Sequence, residues 1–515
     1  MKLDHHILAV VEPTIRPANI KFDSIKEEEG NDRQTKSIAS LQPFLRISSY
    51  DFTDTDILNF TLTLEGKIPM VEFTVVDRKK LFDSEFYPRG GDCVTVFLNS
   101  KNNDTFKTIH MDFELLEVDM SSSSPNEAST ISFSGYAKIP NLYAEVCKHY
   151  DEGPSIDHVE LIAKDLKLGL ATNITETQDK QIRIQPWVDY LTFINEVVAS
   201  SHVSEESFTT WYIDQFYYLN FIDINRIFDS ENPPLGEIQA NFIAFKESMA
   251  EKAKDPETDD NLVAPLMLTN DFSMKMSTMY IEDYKILNNA AAVSALNGYG
   301  RTILFYDDNG DAGTRRTELQ VQPFVSKNMP DSDEPLRGSR RDKKGENRTE
   351  TEFKHKWFGR QDCGEDGLGN THPNALYAQL VDHQNQAEVQ KMKLIIRLGS
   401  FNPSLYKYQK LPIMIYDTDP KTTKTRAAFK EAAEKAGTLN DSLTRKDETA
   451  KNAQVQSDGN PDMVLNHMLS GYYIIENINY SYLKSTNRMV QEITLIRREW
   501  PGKAVDLAAQ IENSK

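Results

Sequence analysis

Cysteine is scarce in this chain: three among 515 residues, Cys93, Cys147 and Cys363. They lie far apart and show no Cys-x-x-Cys or Cys/His spacing, which excludes a recognisable disulfide framework or structural zinc site and fits a reducing compartment. Long hydrophobic runs are missing too. No stretch approaches the roughly 18–20 apolar residues that span a bilayer. The opening Met1 to His6, followed by the short apolar patch Ile7 to Val11, lacks the core and cleavage site of a secretory signal. The expectation is a chain made without Sec-type export and with no membrane span. Positive charge is in deficit, with 58 Lys and Arg against 78 Asp and Glu and a net charge of −20. Nucleic-acid affinity comes largely from basic side chains neutralising phosphates, so specific nucleic-acid binding is not expected. The sequence also holds no G-x-x-x-x-G-K-[ST], G-x-S-x-G or H-E-x-x-H, the minimum parts of a P-loop, a nucleophile elbow and a zincin site.

What is present is an ordinary globular composition, 39% hydrophobic and 26% charged. The length exceeds what one core supports, so two to four domains are expected. A strand, loop, strand, turn, strand module occurs twice. The first copy runs Gly91 to Leu98, Met111 to Val118, a turn at Ser121 to Ser124, and Ser129 to Tyr136. The second runs Lys410 to Tyr416, Tyr472 to Ile478, a turn at Lys484 to Asn487, and Met489 to Ile496. Short runs at Phe44 to Ile47, Ile57 to Leu64 and Val71 to Val76, bounded by Gly, Pro, Asp and Ser, add to the first copy and predict a small antiparallel barrel or sandwich.

Between the copies the period changes. Ile156, Val159, Ile162 and Leu166 share one helical face, with Ser155 as N-cap and Gly169 as a stop. Gln185-Pro186-Trp187 introduces a second helix carrying Leu191, Ile194, Val197 and Val198, and an aromatic hairpin turns at Asp214-Gln215 between Phe208 to Ile213 and Tyr217 to Phe221. Strand-like segments resume at Leu266 to Leu268, Thr302 to Tyr306 and Met392 to Leu398, with Ala375 to Glu388 read as helical. The expected fold is α+β and β-rich: two small antiparallel β-barrels plus an α+β domain and extended loop insertions. The expected boundaries are an N-terminal arm at 1–38, a first barrel at 39–145 and an α+β domain at 146–245. The start of a second barrel with a charged linker follows at 246–325, then a charged loop and small subdomain at 326–390, loop-like to about 352. The rest of the second barrel takes 391–416 and 469–501, interrupted by an exposed helical insertion at 417–468 and followed by a C-terminal tail at 502–515.

Residues with chemical potential each have a plainer reading. Asp362 to Gly367 imitates the first half of a calcium loop, but Gly364 and Pro373 stand where ligands are needed. Asp307 to Asp311 could collect a cation, while Asn309-Gly310 is a hairpin signal. His5-His6 could bind metal weakly but fits a solvated terminus; His110 and His149 fit strand edges or loops. Glu205-Glu206 or Asp417 with Asp419 could flank a glycosidic bond only if a cleft set their separation. The Arg337, Arg340, Arg341, Lys343 and Lys344 cluster could grip an acidic neighbour, but reads first as a solvated loop. Met274, Met276 and Met279 with Tyr280 fit packing. Trp187 and Trp211 could anchor an interface, with core packing the preferred reading. Tyr472 and Tyr473 must point to opposite faces of their strand. No catalytic, cofactor-binding or metal-ligating residue is assigned, and no cofactor is expected.

The segment Ile184 to Leu191 leading to Trp211 to Asp214, together with Gly91 to Leu98, Gly135-Tyr136, Leu411 to Tyr416 and Tyr472 to Leu495, resembles the baseplate central hub subunit of contractile-tailed bacteriophages. That family is related to the hub portions of type VI secretion spike proteins and to phage tail late-control proteins. The likeness covers about half of the chain in dispersed pieces and rests on order and spacing. It implies a non-enzymatic homotrimer, a symmetry adaptor between a sixfold tail tube and a threefold central spike, with a lumen on the path of tape-measure protein and DNA. The implied partners are a central spike protein, tail tube or tube-initiator proteins, baseplate wedge proteins and the tape-measure protein, in a virion tail baseplate assembled in the host bacterial cytoplasm. No β-helix repeat follows the second module, which implies a separate spike. Two other readings stand beside it: a tail-associated peptidoglycan hydrolase with a degenerate motif, and the hub of a cellular contractile injection or secretion system.

Overall fold

A computed structural model describes residues 7–17, 41–47, 50–52, 55–78, 90–100, 109–121, 128–204, 207–230, 265–268, 280–289, 300–307, 315–321, 348–353, 382, 385–386, 389–399, 401–402, 405–417, 464–466, 469–486 and 488–497. In chain order it opens with β1 (Leu8–Val11), β2 (Leu41–Ile47), β3 (Tyr50–Phe52), β4 (Ile57–Thr63), β5 (Met70–Asp77), β6 (Cys93–Ser100), β7 (Ile109–Ser121) and β8 (Ser129–Ala137). Alternation makes these strands: on β5, Val71, Phe73 and Val75 face inward while Glu72 faces water, the period-2 pattern of a half-buried sheet. In β4 the inward residues are Ile57, Phe60 and Leu62. The break in parity is a bulge between Ile57 and Asn59, since one extra residue shifts every later side chain to the other face.

The middle of the chain holds β9 (Val146–Gly153), α1 (Ser155–Asp165), β10 (Gly169–Thr172), β11 (Gln181–Val188), α2 (Tyr190–Ala199), β12 (Thr209–Ile213), β13 (Tyr218–Asp223) and α3 (Ile224–Asp229). This is the expected α+β arrangement, with the hairpin β12–β13 turning at Asp214 to Tyr217. Three details differ from the sequence reading. Pro154 occupies the N-cap of α1, and the Ser155 hydroxyl instead donates to the buried Asp179 carboxylate. The helix stops at Lys167, whose φ of 59° takes the left-handed turn; Gly169 already begins β10. Finally, Gln185 to Trp187 lie in a strand paired with β9, and α2 starts behind the true cap, Asp189, whose carboxylate accepts from the Thr192 backbone N–H at 2.7 Å. The Ile7 to Val11 patch is tied down: β1 pairs antiparallel with β10.

The last third adds β14 (Leu266–Leu268), β15 (Ile281–Asn288), β16 (Gly300–Asp307), β17 (Arg315–Val321), β18 (Arg348–Phe353), β19 (Met392–Leu398), β20 (Lys410–Asp417), β21 (Val464–Leu465), β22 (Gly471–Leu483) and β23 (Arg488–Ile496). Residues 348–352, expected in a loop, belong to β18, which pairs parallel with β16. Their Thr-Glu alternation is strand-like, and the apolar run of β16 supplies a partner. Among the described residues the two expected barrels are not separate closed barrels. Their strands join one 14-stranded sheet whose path is β15-β19-β23-β22-β4-β5-β8-β7-β6-β2-β3, with β14, β20 and β21 beside it.

Within that sheet the duplication is structural. The strands β4-β5-β8-β7-β6 and β15-β19-β23-β22-β20 follow one another in the same spatial order and the same chain order. The closing strands match in length, with 8 residues in β6 and β20, 13 in β7 and β22, and 9 in β8 and β23. The ladders match in register, bulges included. Ile57 faces Val75, Leu58 is skipped, and Asn59 faces Thr74; Ile281 faces Leu398, Glu282 is skipped, and Asp283 faces Arg397. Leu115 faces Gly135, Leu116 is extra, and Glu117 faces Ser134; Ile475 faces Leu495, Glu476 is extra, and Asn477 faces Thr494. Even the entry to the closing strands repeats: Gly91 and Leu115 exchange places with Tyr408 and Ile475 in the bond from the first residue's N–H to the second's carbonyl, at 2.7 and 2.6 Å. Both entering residues are left-handed, φ 90° and 63°, a conformation that costs tyrosine and not glycine. Among the described residues no helix is long and apolar enough to cross a membrane.

Candidate functional site

The chemistry-bearing groups of the described residues converge where the two sheet copies and the α+β unit meet. The copies are joined by β4 and β22, which pair antiparallel from Thr63 opposite Asn479 to Asn59 opposite Leu483. Phe60, Leu62, Tyr480 and Tyr482 are all buried along this seam, and each large side chain withdrawn from water contributes on the order of 1.5–3 kcal/mol. At the end of the seam the bend after β4 presents three backbone carbonyls, those of Leu64, Glu65 and Gly66. The Lys407 ammonium donates to all three, at 2.9, 3.3 and 3.0 Å. It also lies over the rings of Tyr212, at 5.1 Å, and Tyr408. The residue is only 5% exposed. Burial, and after it the nearby Lys67 ammonium, pull its pKa down to about 7.

The α+β unit grips the same bend from the other side. The Ile213 N–H donates to the Lys67 carbonyl at 2.8 Å, the Lys67 ammonium donates to the Thr210 hydroxyl at 3.0 Å, and the Tyr212 hydroxyl donates to the Lys407 carbonyl at 3.1 Å. A small cavity opens beside this joint, lined among others by Lys67, Thr209, Asp382, Gln390 and Glu476. Its polar groups are engaged with one another. Asp382 accepts from the Thr209 N–H and hydroxyl, with burial holding its carboxyl well above the usual range. Glu476 accepts from Gln390 at 2.8 Å and pairs with Lys393 at 2.6 Å. Such an arrangement fixes three units against each other. Among the described residues no group of three or more His, Cys, Asp or Glu side chains is placed to hold a metal ion.

The residues singled out from sequence scatter. Trp211 is buried, its indole N–H donating to Asn195 at 2.8 Å. Trp187, expected in the core, is 70% exposed. It occupies the irregularity between Pro186 and Val188 in the β11–β9 pairing, with φ 55°, and the bulge turns it outward. Tyr473 is buried, whereas Tyr472 is half-buried with the Lys410 ammonium over its ring. His110 lies on β7 edge-on to Phe97, and His149 lies on β9 opposite Ile184. Asp307 ends β16 opposite Arg315 in an antiparallel pair, as a hairpin requires. Asp417 ends β20. The Asp362 to Gly367 loop, His5-His6, Glu205-Glu206, Asp419, the arginine and lysine cluster at 337–344, Met274, Met276 and Met279 lie outside the described residues, as do most of the 417–468 insertion and the 502–515 tail. Sequence reasoning missed Lys407; its one signal was a cation set between Tyr406 and Tyr408 just before a strand.

No protein-family model matches this chain, and no curated protein does either. Its structural neighbours are phage tail proteins and type VI secretion spike proteins. It is similar to the tail protein from Neisseria meningitidis MC58, with 10% identity and a TM-score of 0.47 over 89% of this chain and 97% of that one. It is similar to the 43 kDa tail protein of prophage MuSo2 from Shewanella oneidensis, with 9% identity and a TM-score of 0.46 over 89% and 99%. It is also similar to an E. coli type VI secretion component described as structurally similar to the bacteriophage T4 tail proteins gp27 and gp5, with 9% identity and a TM-score of 0.38 over 89% and 79%. At these scores no residue role is carried across.

Proposed function

We propose that the chain is a structural, non-enzymatic hub subunit of a contractile phage tail baseplate, working as a homotrimer that adapts a sixfold tail tube to a threefold central spike. The observation that carries this reading is the duplicated five-strand sheet, whose copies keep order, register and bulges and flank the α+β unit. A chain holding two like modules presents an even number of them around any ring. Three chains present six, satisfying a sixfold neighbour through the modules and a threefold neighbour through the chains. In this reading each copy with its flanking strands is one of the family's small barrels, and the lumen lies on the path of tape-measure protein and DNA. The central spike, tube or tube-initiator, wedge and tape-measure proteins are its partners, and the virion tail baseplate, assembled in the host cytoplasm, is its place. The α+β unit and the clasped bend at Lys407 supply the stiffness such an adaptor needs.

The test is mass in solution together with electron microscopy, alone and with a candidate spike protein. A trimer forming a threefold ring with six peripheral lobes, and capture of the spike, are expected. A strict monomer at high concentration that binds no spike overturns the reading. The hub of a cellular injection system would have the same geometry, and neighbouring capsid genes distinguish the virion.

A further inference from the structure

One row of side chains crosses the seam between the two sheet copies, and its middle is polar. Val71, Leu62, Tyr480, Gln491, Leu398 and Ile281 stand opposite one another in turn on β5, β4, β22, β23, β19 and β15. Residues directly opposite in an antiparallel ladder share a face, and all of these are fully buried. Apolar residues flank the row on both sides of the Tyr480–Gln491 pair. In the first copy, counting from the matched bulges, the equivalent pair is Met120 opposite Ile131. The polar pair therefore belongs to the second copy alone, on the strand that makes the seam.

Its hydrogen bonding is specific. The Gln491 side-chain carbonyl accepts from the Asn402 backbone N–H at 2.8 Å. A backbone N–H can only donate, which fixes the orientation of the amide and leaves its NH2 group to find another partner. Among the described residues neither that NH2 group nor the Tyr480 hydroxyl has a hydrogen-bonding partner, and they do not bond each other. Phe401 packs against the Tyr480 ring with centroids 5.4 Å apart, adding to the apolar surround. Buried donors left without acceptors are costly, and folded chains rarely keep them. The row carries no charge, so an ion taken up there would be buried without a counter-charge. An apolar occupant would leave the donors as they are. What fits is a small neutral molecule that both accepts and donates.

We propose that one internal water molecule is a fixed part of the seam, accepting from the Gln491 NH2 group and bonding the Tyr480 hydroxyl, so that it bridges β22 to β23 beside the pairing of β22 with β4. Two polar partners meet the minimum a buried water needs, and a bridging water spans a gap too wide for a direct bond. The site gives the polar pair a purpose. A two-residue slip of β22 against β23 would keep apolar residues inward, but it would part Tyr480 from Gln491 and leave each without the shared water. Pairing with a strand of the other copy would set either residue against Met120 or Ile131, with the same loss. The water thus selects the native register in a chain whose two copies have nearly interchangeable backbones. It stands apart from the trimer reading and holds whether or not the chain is a hub.

The first test is a structure of the full chain at a resolution that shows ordered water. Density is expected within hydrogen-bonding distance, about 2.7–3.2 Å, of both the Tyr480 hydroxyl and the Gln491 amide nitrogen. An empty site, a direct bond between the two side chains, or protein partners for both would overturn the proposal. The second test needs no map. Tyr480→Phe keeps the ring and its contact with Phe401 and removes only the hydroxyl. With a water on that hydroxyl, the variant is expected to melt roughly 2 °C below the parent. If the hydroxyl is unpartnered in the folded chain, its removal raises the melting temperature, and the proposal fails. Gln491→Met supplies the cross-check: combined with Tyr480→Phe it should cost less than the sum of the two single changes, because either one already releases the water. Strict additivity would mean that the two groups share no water and would overturn the bridge.

Discussion

At the residue scale the protein turns on a buried cation. Lys407 donates to three carbonyls of the bend after β4, and burial lowers its pKa from 10.5 to about 7. The sign of the resulting pH dependence follows from where its proton sits. Between pH 7 and about 10 the unfolded chain binds a proton at this site that the folded chain has released, so stability rises with pH across that window. The cost of burying the charge is felt in full below pH 7. Replacing it with Met removes both the titration and the donors to these carbonyls. The urea midpoint of Lys407→Met is expected to gain less than the parent's between pH 7 and 9. Equal pH dependence in both proteins would assign the effect elsewhere. None of this was readable from sequence, because the carbonyls belong to a bend more than three hundred residues away. Trp187 failed for the opposite reason: its place before a helical period suggested a core residue, and only the bulge shows that it points outward.

At the scale of elements, alternation exposed most strands, and the aromatic hairpin and the helices α1 and α2 were legible in outline, whereas α3 was not. Register was not. The strand β15 was invisible, since Ile281-Glu282-Asp283-Tyr284-Lys285-Ile286 has a bulge that breaks its alternation and an uncovered face that tolerates charge. The two copies share almost no residues because the backbone path, and not the side chains, is what the duplication kept. One position shows the constraint directly. Gly135 faces Leu115 beside the bulge in β7, and a Cβ there would lie 2.5 Å from the Glu114 carbonyl oxygen. A backbone atom cannot retreat cheaply, so Gly135→Ala is expected to destabilise the chain by about 2 kcal/mol, measured as a fall in melting temperature. The equivalent Leu495→Ala acts by leaving a cavity instead, at a cost of about 2–5 kcal/mol.

At the scale of the molecule, the sequence resemblance gave the order of units, while the way they fuse came only from the structure. The seam of β4 with β22 and the clasped bend tie the two sheet copies and the α+β unit together. Calorimetry and far-UV and near-UV circular dichroism should therefore report a single coincident transition, and two separate transitions would mean that the copies melt independently. The seam also has a mechanical meaning. A single 13-residue strand, β22, is bonded to β20 through its first part and to β4 through its last. Its ladder bonds run across the strand axis, so a pull along the strand loads them in parallel as shear, and they must break together instead of unzipping one by one. Under load, the weakest direction of this body is the one that peels the sheet open, and the strongest is the one along which β22 itself runs.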